Sequence, residues 1–317
     1  MNKGKVWITG VSGFVGRYLI EELASAGFEV IGTGRSTLIN TSTSYQYKAV
    51  PLKDRSAISN FLQVEKPDYV IHLAGQKYIP YSWEHPIEVI ESNVISTLNI
   101  LEAIRLLDER AKVKVLLIGS GSEYFSPPGK SHVFSEKDET HPPNPYSWSK
   151  WMQSEVGKMY TMMYGLSVVT ARTFNLFGPG ANGGISSALA EFVASCERER
   201  RSDTFVIHGS VELARDFLDV RDAVRAYRII LEKFDQWTQG EVINVCSGQA
   251  TSLDKLIQLF FSYCSYPLQL QINQKYIRKG DVHSICGNNN KLKELSWEQK
   301  IPLKQTVKDM VTYCKQA

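Results

Sequence analysis

Short runs of consecutive apolar residues alternate along this chain with longer stretches in which apolar positions return every three or four residues. The runs predict strands near 5–9, 29–33, 46–50, 69–73, 114–118 and 167–171, and the periodic stretches predict helices near 14–26, 54–64, 86–108 and 146–164. Strands that alternate with helices need crossovers, which stack the helices on both faces of a parallel sheet. The segment Val113-Lys114-Val115-Leu116-Leu117-Ile118, apolar at all positions but one, suits a strand buried on both faces. The expected fold class is α/β, a doubly wound parallel sheet. After about residue 173 the pattern becomes irregular, with a loop at 178–184, short strands near 205–208 and 241–245, and helices near 186–199, 221–233 and 252–264. A first domain is therefore expected over 1–173 and a smaller, partly interleaved one over 174–317, with segments near 217–246 returning to the first.

The first strand, helix and intervening turn carry chemistry. Thr9-Gly10-Val11-Ser12-Gly13-Phe14-Val15-Gly16 joins Lys5-Val6-Trp7-Ile8 to a helical stretch. A glycine turn in that setting lets the backbone approach a pyrophosphate and aims helix N-terminal N–H groups at it. This marks 1–173 as a dinucleotide-binding domain, with Gly10, Ser12, Gly13, Phe14, Val15 and Gly16 as cofactor contacts. An acid after the second strand would pair with the ribose hydroxyls and repel a phosphate, yet Val30-Ile31-Gly32-Thr33-Gly34-Arg35-Ser36 has none. Arg35 stands where a guanidinium can grip a 2′-phosphate, so NADP(H) is the expected cofactor.

Further on, Tyr146 and Lys150 are four residues apart and share one face of a predicted helix. A free phenol titrates near 10, and a nearby cation is expected to bring it toward the working pH so that it can protonate a carbonyl. A serine completes such a site: Ser120 ends an apolar run, and Ser122 competes with it.

Composition narrows the function classes. A net charge of +3 is too small to imply nucleic acid or an anionic membrane, and Trp83, Trp148 and Trp151 form no basic-aromatic groove. The histidines are scattered without ligand spacing, so no metal site is expected. Five cysteines without a C-x-x-C pair read as small buried hydrophobes. With no run of 18 apolar residues and a first strand by Lys5, the protein is expected to stay in the cytoplasm.

The chain resembles the extended short-chain dehydrogenase/reductases, the Rossmann-like enzymes that act on nucleotide sugars. The resemblance is carried by Thr9-Gly10-x-x-Gly13-x-x-Gly16, the Pro67 to Gln76 segment, Ser82-Trp83, Asn93 with Thr97-Leu98-Asn99, and the Tyr146 to Lys150 segment. Arg172-Thr173-Phe174-Asn175, Gly178-Pro179-Gly180, the Arg215 to Asp222 segment and Asn244-Val245-Cys246-Ser247-Gly248 extend it over nearly the whole chain. It implies that Tyr124 fixes the register and selects Ser120 to join Tyr146 and Lys150 as the catalytic trio. Lys150 would also hold the nicotinamide ribose. It places Asp54 near the adenine, has Leu73, Ala74 and Gly75 line the cofactor cleft with Asn93, and gives Asn175, Arg215, Arg278 and Ser122 to the substrate. Two departures stand out: Lys279 replaces a usual proline, and Ser122 occupies the place where family dehydratases carry an acid, with Glu123 one step away.

The activity so implied is NADPH-dependent reduction of the C4 ketone of a nucleotide-linked 4-keto-6-deoxy sugar, with GDP-4-keto-6-deoxy-D-mannose giving GDP-D-rhamnose as first choice. A sugar-nucleotide 4-epimerase or 4,6-dehydratase that retains its cofactor is the enzyme alternative. A non-catalytic NADP-sensing regulator is the alternative of another class. The resemblance further implies a homodimer built from the 86–108 and 146–164 helices.

Overall fold

A computed structural model describes residues 3–34, 45–107, 113–125, 132–238, 240–273 and 284–316. Its first half runs β1 (Lys5–Thr9), α1 (Phe14–Ser25), β2 (Glu29–Gly34), β3 (Gln46–Ala49), α2 (Arg55–Glu65), β4 (Tyr69–His72), α3 (Ile79–Glu84), α4 (Pro86–Ile90), α5 (Ser96–Arg105), β5 (Lys114–Ser120), β6 (Val133–Phe134), α6 (Pro145–Tyr164) and β7 (Ser167–Thr173). The second half runs β8 (Asn175–Phe177), α7 (Ile185–Glu199), β9 (Asp203–Ile207), β10 (Ala214–Asp219), α8 (Val220–Glu232), β11 (Val242–Val245), β12 (Ala250–Ser252), α9 (Leu253–Phe261), β13 (Leu268–Ile272), β14 (Ser284–Gly287), α10 (Asn290–Glu294) and α11 (Leu303–Gln316).

The expected doubly wound sheet is present. Seven parallel strands lie in the order β11-β7-β5-β4-β1-β2-β3. Its two faces bury separate apolar layers, which is why its central strands are apolar on both sides. Val6, Ile8, Leu19, Leu23 and Ile230 join one layer with α1 and α8, and Trp7, Ile58, Leu101, Val115 and Leu117 join the other with α2 and α5. Local signals set the ends of α6: Asn144 accepts the Ser147 N–H at 2.9 Å, Pro145 occupies the first turn, and Gly165 closes the helix at φ +70°. The stretch expected as one helix over 86–108 is α4 and α5 joined through a π-helical turn, Glu91–Ile95.

The second half is less regular. β12, β10, β14 and β6 form a second sheet, with β8 also on β10, and β9 pairs with β13. Apart from β9 and β11, none of the second half's strands appeared in the pattern of apolar runs, nor did α11, which packs its Val307, Met310 and Val311 against α7 and α9. α8 and β11 return to the first half, α8 against α1 and β11 beside β7. The halves also touch where Tyr18 on α1 donates to Pro179 O at 2.8 Å and Lys77 donates to Asn182 Oδ1 at 2.8 Å. No helix among the described residues is long and apolar enough to cross a membrane.

Candidate active site

The carboxyl ends of β1, β4 and β5 gather the candidate residues. Gly10 has φ +75°, and a Cβ there would lie 2.8 Å from the Ala74 backbone. A Cβ on Gly16 would lie 2.5 Å from Val11 O, so α1 can pack on the turn only without one. Gly13 caps α1 without a side chain, and the first helical turn holds no acid. These N–H groups, with Ser12 and Gly13 exposed beside them, fit a dinucleotide pyrophosphate. Phe14, Val15 and Leu73 pack partly against the core behind the turn.

Under the turn runs a buried polar chain. Thr9 Oγ1 accepts the Ala74 N–H at 3.1 Å and pairs with His72 Nδ1 at 2.8 Å, while His72 Nε2 stands 3.3 Å from Ser96 Oγ. Burial, helped by the Lys150 charge, drives the His72 pKa down to about 3, so the ring is a neutral structural link. Asn93, expected to contact the cofactor, hydrogen-bonds its own chain. Its Oδ1 accepts Gln76 N–H at 2.7 Å and its Nδ2 donates to Gln76 O at 3.0 Å and Ser149 Oγ at 2.8 Å. It thus braces the loop at Gly75, where a Cβ would lie 2.8 Å from Asn93 Oδ1 and 3.7 Å from Lys150 Nζ. Asp54, expected near the adenine, caps α2 by accepting the Ser56 and Ala57 N–H groups at 2.9 and 3.1 Å.

Ser120, Tyr146 and Lys150 come together at the end of β5. Tyr146 lies beside Ser120, whose hydroxyl works to lower the phenol's pKa, and Ser120 Oγ is 2.9 Å from Ser122 Oγ. Lys150, buried one helical turn on, donates to Ile118 O and Gln153 Oε1, each at 2.8 Å. Burial lowers the Lys150 pKa to about 8. The expectation that Lys150 draws the Tyr146 phenol down is corrected here: burial raises Tyr146, the Ser120 hydrogen bond works against the rise, and Glu123 adds to it. The ammonium is aimed at two neutral oxygens in this geometry, and desolvation of the phenolate is the stronger effect.

Glu123, which ends a 3-10 turn after β5, points into the interior. It is fully buried and ion-paired with Arg172 at 2.9 Å. The sequence reading named Arg172 in a family motif but gave it no role. Its signal was a guanidinium inside a central strand, which cannot be buried without a partner.

On the substrate side, Asn175 and Arg215 lie on paired strands. Asn175 Nδ2 donates to Asp216 O at 3.2 Å, and Arg215 Nη1 donates to Ala214 O at 2.8 Å. Between them Asp216, likewise given no role, is fully buried and ties three segments together. A Cβ on Gly121 would meet the Phe174 ring at 2.8 Å, so the turn after Ser120 rests directly against the residue preceding Asn175. Arg35 and Arg278 lie outside the described residues.

The family model for GDP-mannose 4,6 dehydratase matches residues 7–310. The chain belongs to that family. This GDP-mannose 4,6-dehydratase family member falls within the extended short-chain dehydrogenase/reductases. It is 28% identical over 314 residues to the GDP-6-deoxy-D-mannose reductase of Pseudomonas aeruginosa, a match spanning 97% of this chain and 96% of the relative. The structure of RMD from Pseudomonas aeruginosa complexed with NADPH is similar at TM-score 0.80 and 27% identity, over 99% of this chain and 100% of that one. A UDP-glucose 4-epimerase from Thermotoga maritima, solved with UDP-glucose, is similar at TM-score 0.87 and 25% identity, over 98% and 99% of the two chains. Sugar-nucleotide reductases, epimerases and dehydratases are among the relatives of this chain, and solved structures similar to it include complexes with NADPH and with NAD.

Proposed function

We propose that this enzyme is an NADPH-dependent reductase of the C4 ketone of a nucleotide-linked 4-keto-6-deoxy sugar, with GDP-4-keto-6-deoxy-D-mannose as substrate and GDP-D-rhamnose as product. The observation that carries the reading is the Ser120–Tyr146 pair with buried Lys150, set beside a Ser122 that offers no acid. Nicotinamide, when bound, would supply the hydride. Ser120 and Tyr146 hold the carbonyl oxygen, and Tyr146 gives it a proton. Lys150 reaches the nicotinamide ribose past Gly75. Elimination of water would need a carboxyl group facing the sugar, whereas Glu123 is buried against Arg172. Arg215 and Arg278 take the diphosphate and Asn175 the neighbouring sugar-phosphate region. Arg35 grips the 2′-phosphate, and the two GDP-sugar reductases or dehydrogenases among the relatives favour guanine.

A homodimer accompanies this reading. Ile87 and Ile95 on the α4–α5 stretch and Trp148, Met162 and Met163 on α6 expose apolar surface suited to a two-fold helix contact. Light scattering that shows only monomer at micromolar protein would contradict it.

The activity test is a panel of GDP-, dTDP-, CDP- and UDP-linked 4-keto-6-deoxy sugars with NADPH. Stoichiometric NADPH oxidation with the GDP substrate is expected. A nicotinamide cofactor that survives purification, with sugars interconverted and none consumed, would instead indicate the epimerase.

A further inference from the structure

We propose that Glu123 and Arg172 form a positioning pair beneath the site, which fixes Ser120 through its backbone and sets the local charge around Tyr146 and Lys150. This rests on the catalytic reading of Ser120, Tyr146 and Lys150 given above. After Ser120 the chain makes a single 3-10 turn, Gly121–Glu123, closed by reciprocal hydrogen bonds: Ser120 N–H donates to Glu123 Oε1 at 2.8 Å and Ser122 N–H donates to Ser120 Oγ at 3.2 Å. The Ser120 hydroxyl is thereby held toward Ser122 and Tyr146. A Cβ on Gly119 would lie 2.8 Å from Glu123 Oε1, so the strand itself makes room for the carboxylate.

A turn cap at a protein surface needs no cation, but this one is fully buried. Arg172 Nε donates to Glu123 Oε2 at 2.9 Å, Arg172 Nη1 donates to the Tyr124 hydroxyl at 2.7 Å, and the guanidinium lies 4.5 Å from the centre of the Tyr124 ring. Ser154 Oγ on α6 donates to the same carboxylate at 3.2 Å. Stability alone does not call for such a pair, since apolar residues of similar volume often replace buried ion pairs without loss. Its value lies in what it faces. Burial lowers Lys150 and Glu123 opposes that shift; burial raises Tyr146 and Glu123 adds to the rise. The other titratable groups around this corner are His72 from β4, Tyr227 from α8, and Glu136, which accepts the Asn244 N–H beneath Tyr124.

The test is a titration of Tyr146, followed by NMR of ring-labelled tyrosine with the signal assigned through Tyr146→Phe. Glu123→Gln keeps an acceptor for the Ser120 N–H but removes the negative charge and leaves the Arg172 charge uncompensated. The Tyr146 midpoint should fall by about half a unit to one unit. An unchanged or raised midpoint overturns the proposal. Should Glu123→Gln not fold, the paired variant Glu123→Leu/Arg172→Met replaces both charges. It should fold and bind NADPH like wild type but lose about tenfold in turnover, because Ser120 loses its backbone anchor. Full turnover by the paired variant would assign the pair to folding alone and overturn the proposal. The titration needs no substrate, so a wild type inactive on every 4-keto sugar would defeat the reductase reading and leave this result standing.

Discussion

Two buried carboxylates, Glu123 and Asp216, are held by different means. Below the end of β5, Glu123 is matched by the guanidinium of Arg172. In the second sheet Asp216 is held by donors: the Ser247 N–H and hydroxyl at 2.7 Å each, the Gly248 N–H at 3.0 Å and the Gly287 N–H at 3.2 Å. Burial still raises the Asp216 pKa, and these hydrogen bonds oppose the rise. The difference bears on what each carboxylate can lose. Glu123 has a side-chain partner that can be exchanged along with it, whereas most of Asp216's partners are backbone groups that no substitution removes. The first arrangement suits a turn whose field reaches the reacting groups. The second suits a junction that fastens β10 to the β11–β12 loop and β14 and so sets Arg215 in place.

Arg172→Leu should break the first arrangement most severely. It strands a buried carboxylate, at about 3–5 kcal/mol of stability in denaturant unfolding, and a large part should return when Glu123 is also made apolar. Asp216→Ala orphans the buried Gly287 N–H and the less buried Ser247 and Gly248 N–H groups and should cost about 1–3 kcal/mol, since water can enter beside the smaller side chain. No second side-chain replacement should restore it. If Asp216→Ala were rescued as readily as Arg172→Leu, the distinction between the two carboxylates would fail. Arg35→Ala should act on neither sheet. It should leave unfolding unchanged and weaken NADPH by about 10- to 150-fold while NADH binding stays nearly constant. Equal losses for both cofactors, measured by titration, would remove Arg35 as the discriminator.

The contrast also explains which features were legible in the sequence. Gly10, Gly13 and Gly16, or Asn144, Pro145 and Gly165 around α6, act through the backbone within a few residues of themselves, so spacing and residue type reveal them. Tyr146 and Lys150 were legible from helical spacing, whereas only the family resemblance separated Ser120 from Ser122. The role of Asp216 was not legible, because its partners lie 31 to 71 positions away and β12 and β14 are too short to show a period. Asn93 also braces the loop through Gln76 and Ser149, and no pattern in the sequence announces those partners. α11 was within reach, since Val307, Met310 and Val311 recur at helical spacing.

The central claim is that Tyr146 protonates the sugar carbonyl. Its most direct test is steady-state turnover of Tyr146→Phe with the 4-keto sugar identified by the substrate panel, alongside NADPH binding to the same variant. The account predicts a fall on the order of 10²- to 10⁴-fold in kcat with unchanged cofactor affinity. Turnover close to wild type would contradict it.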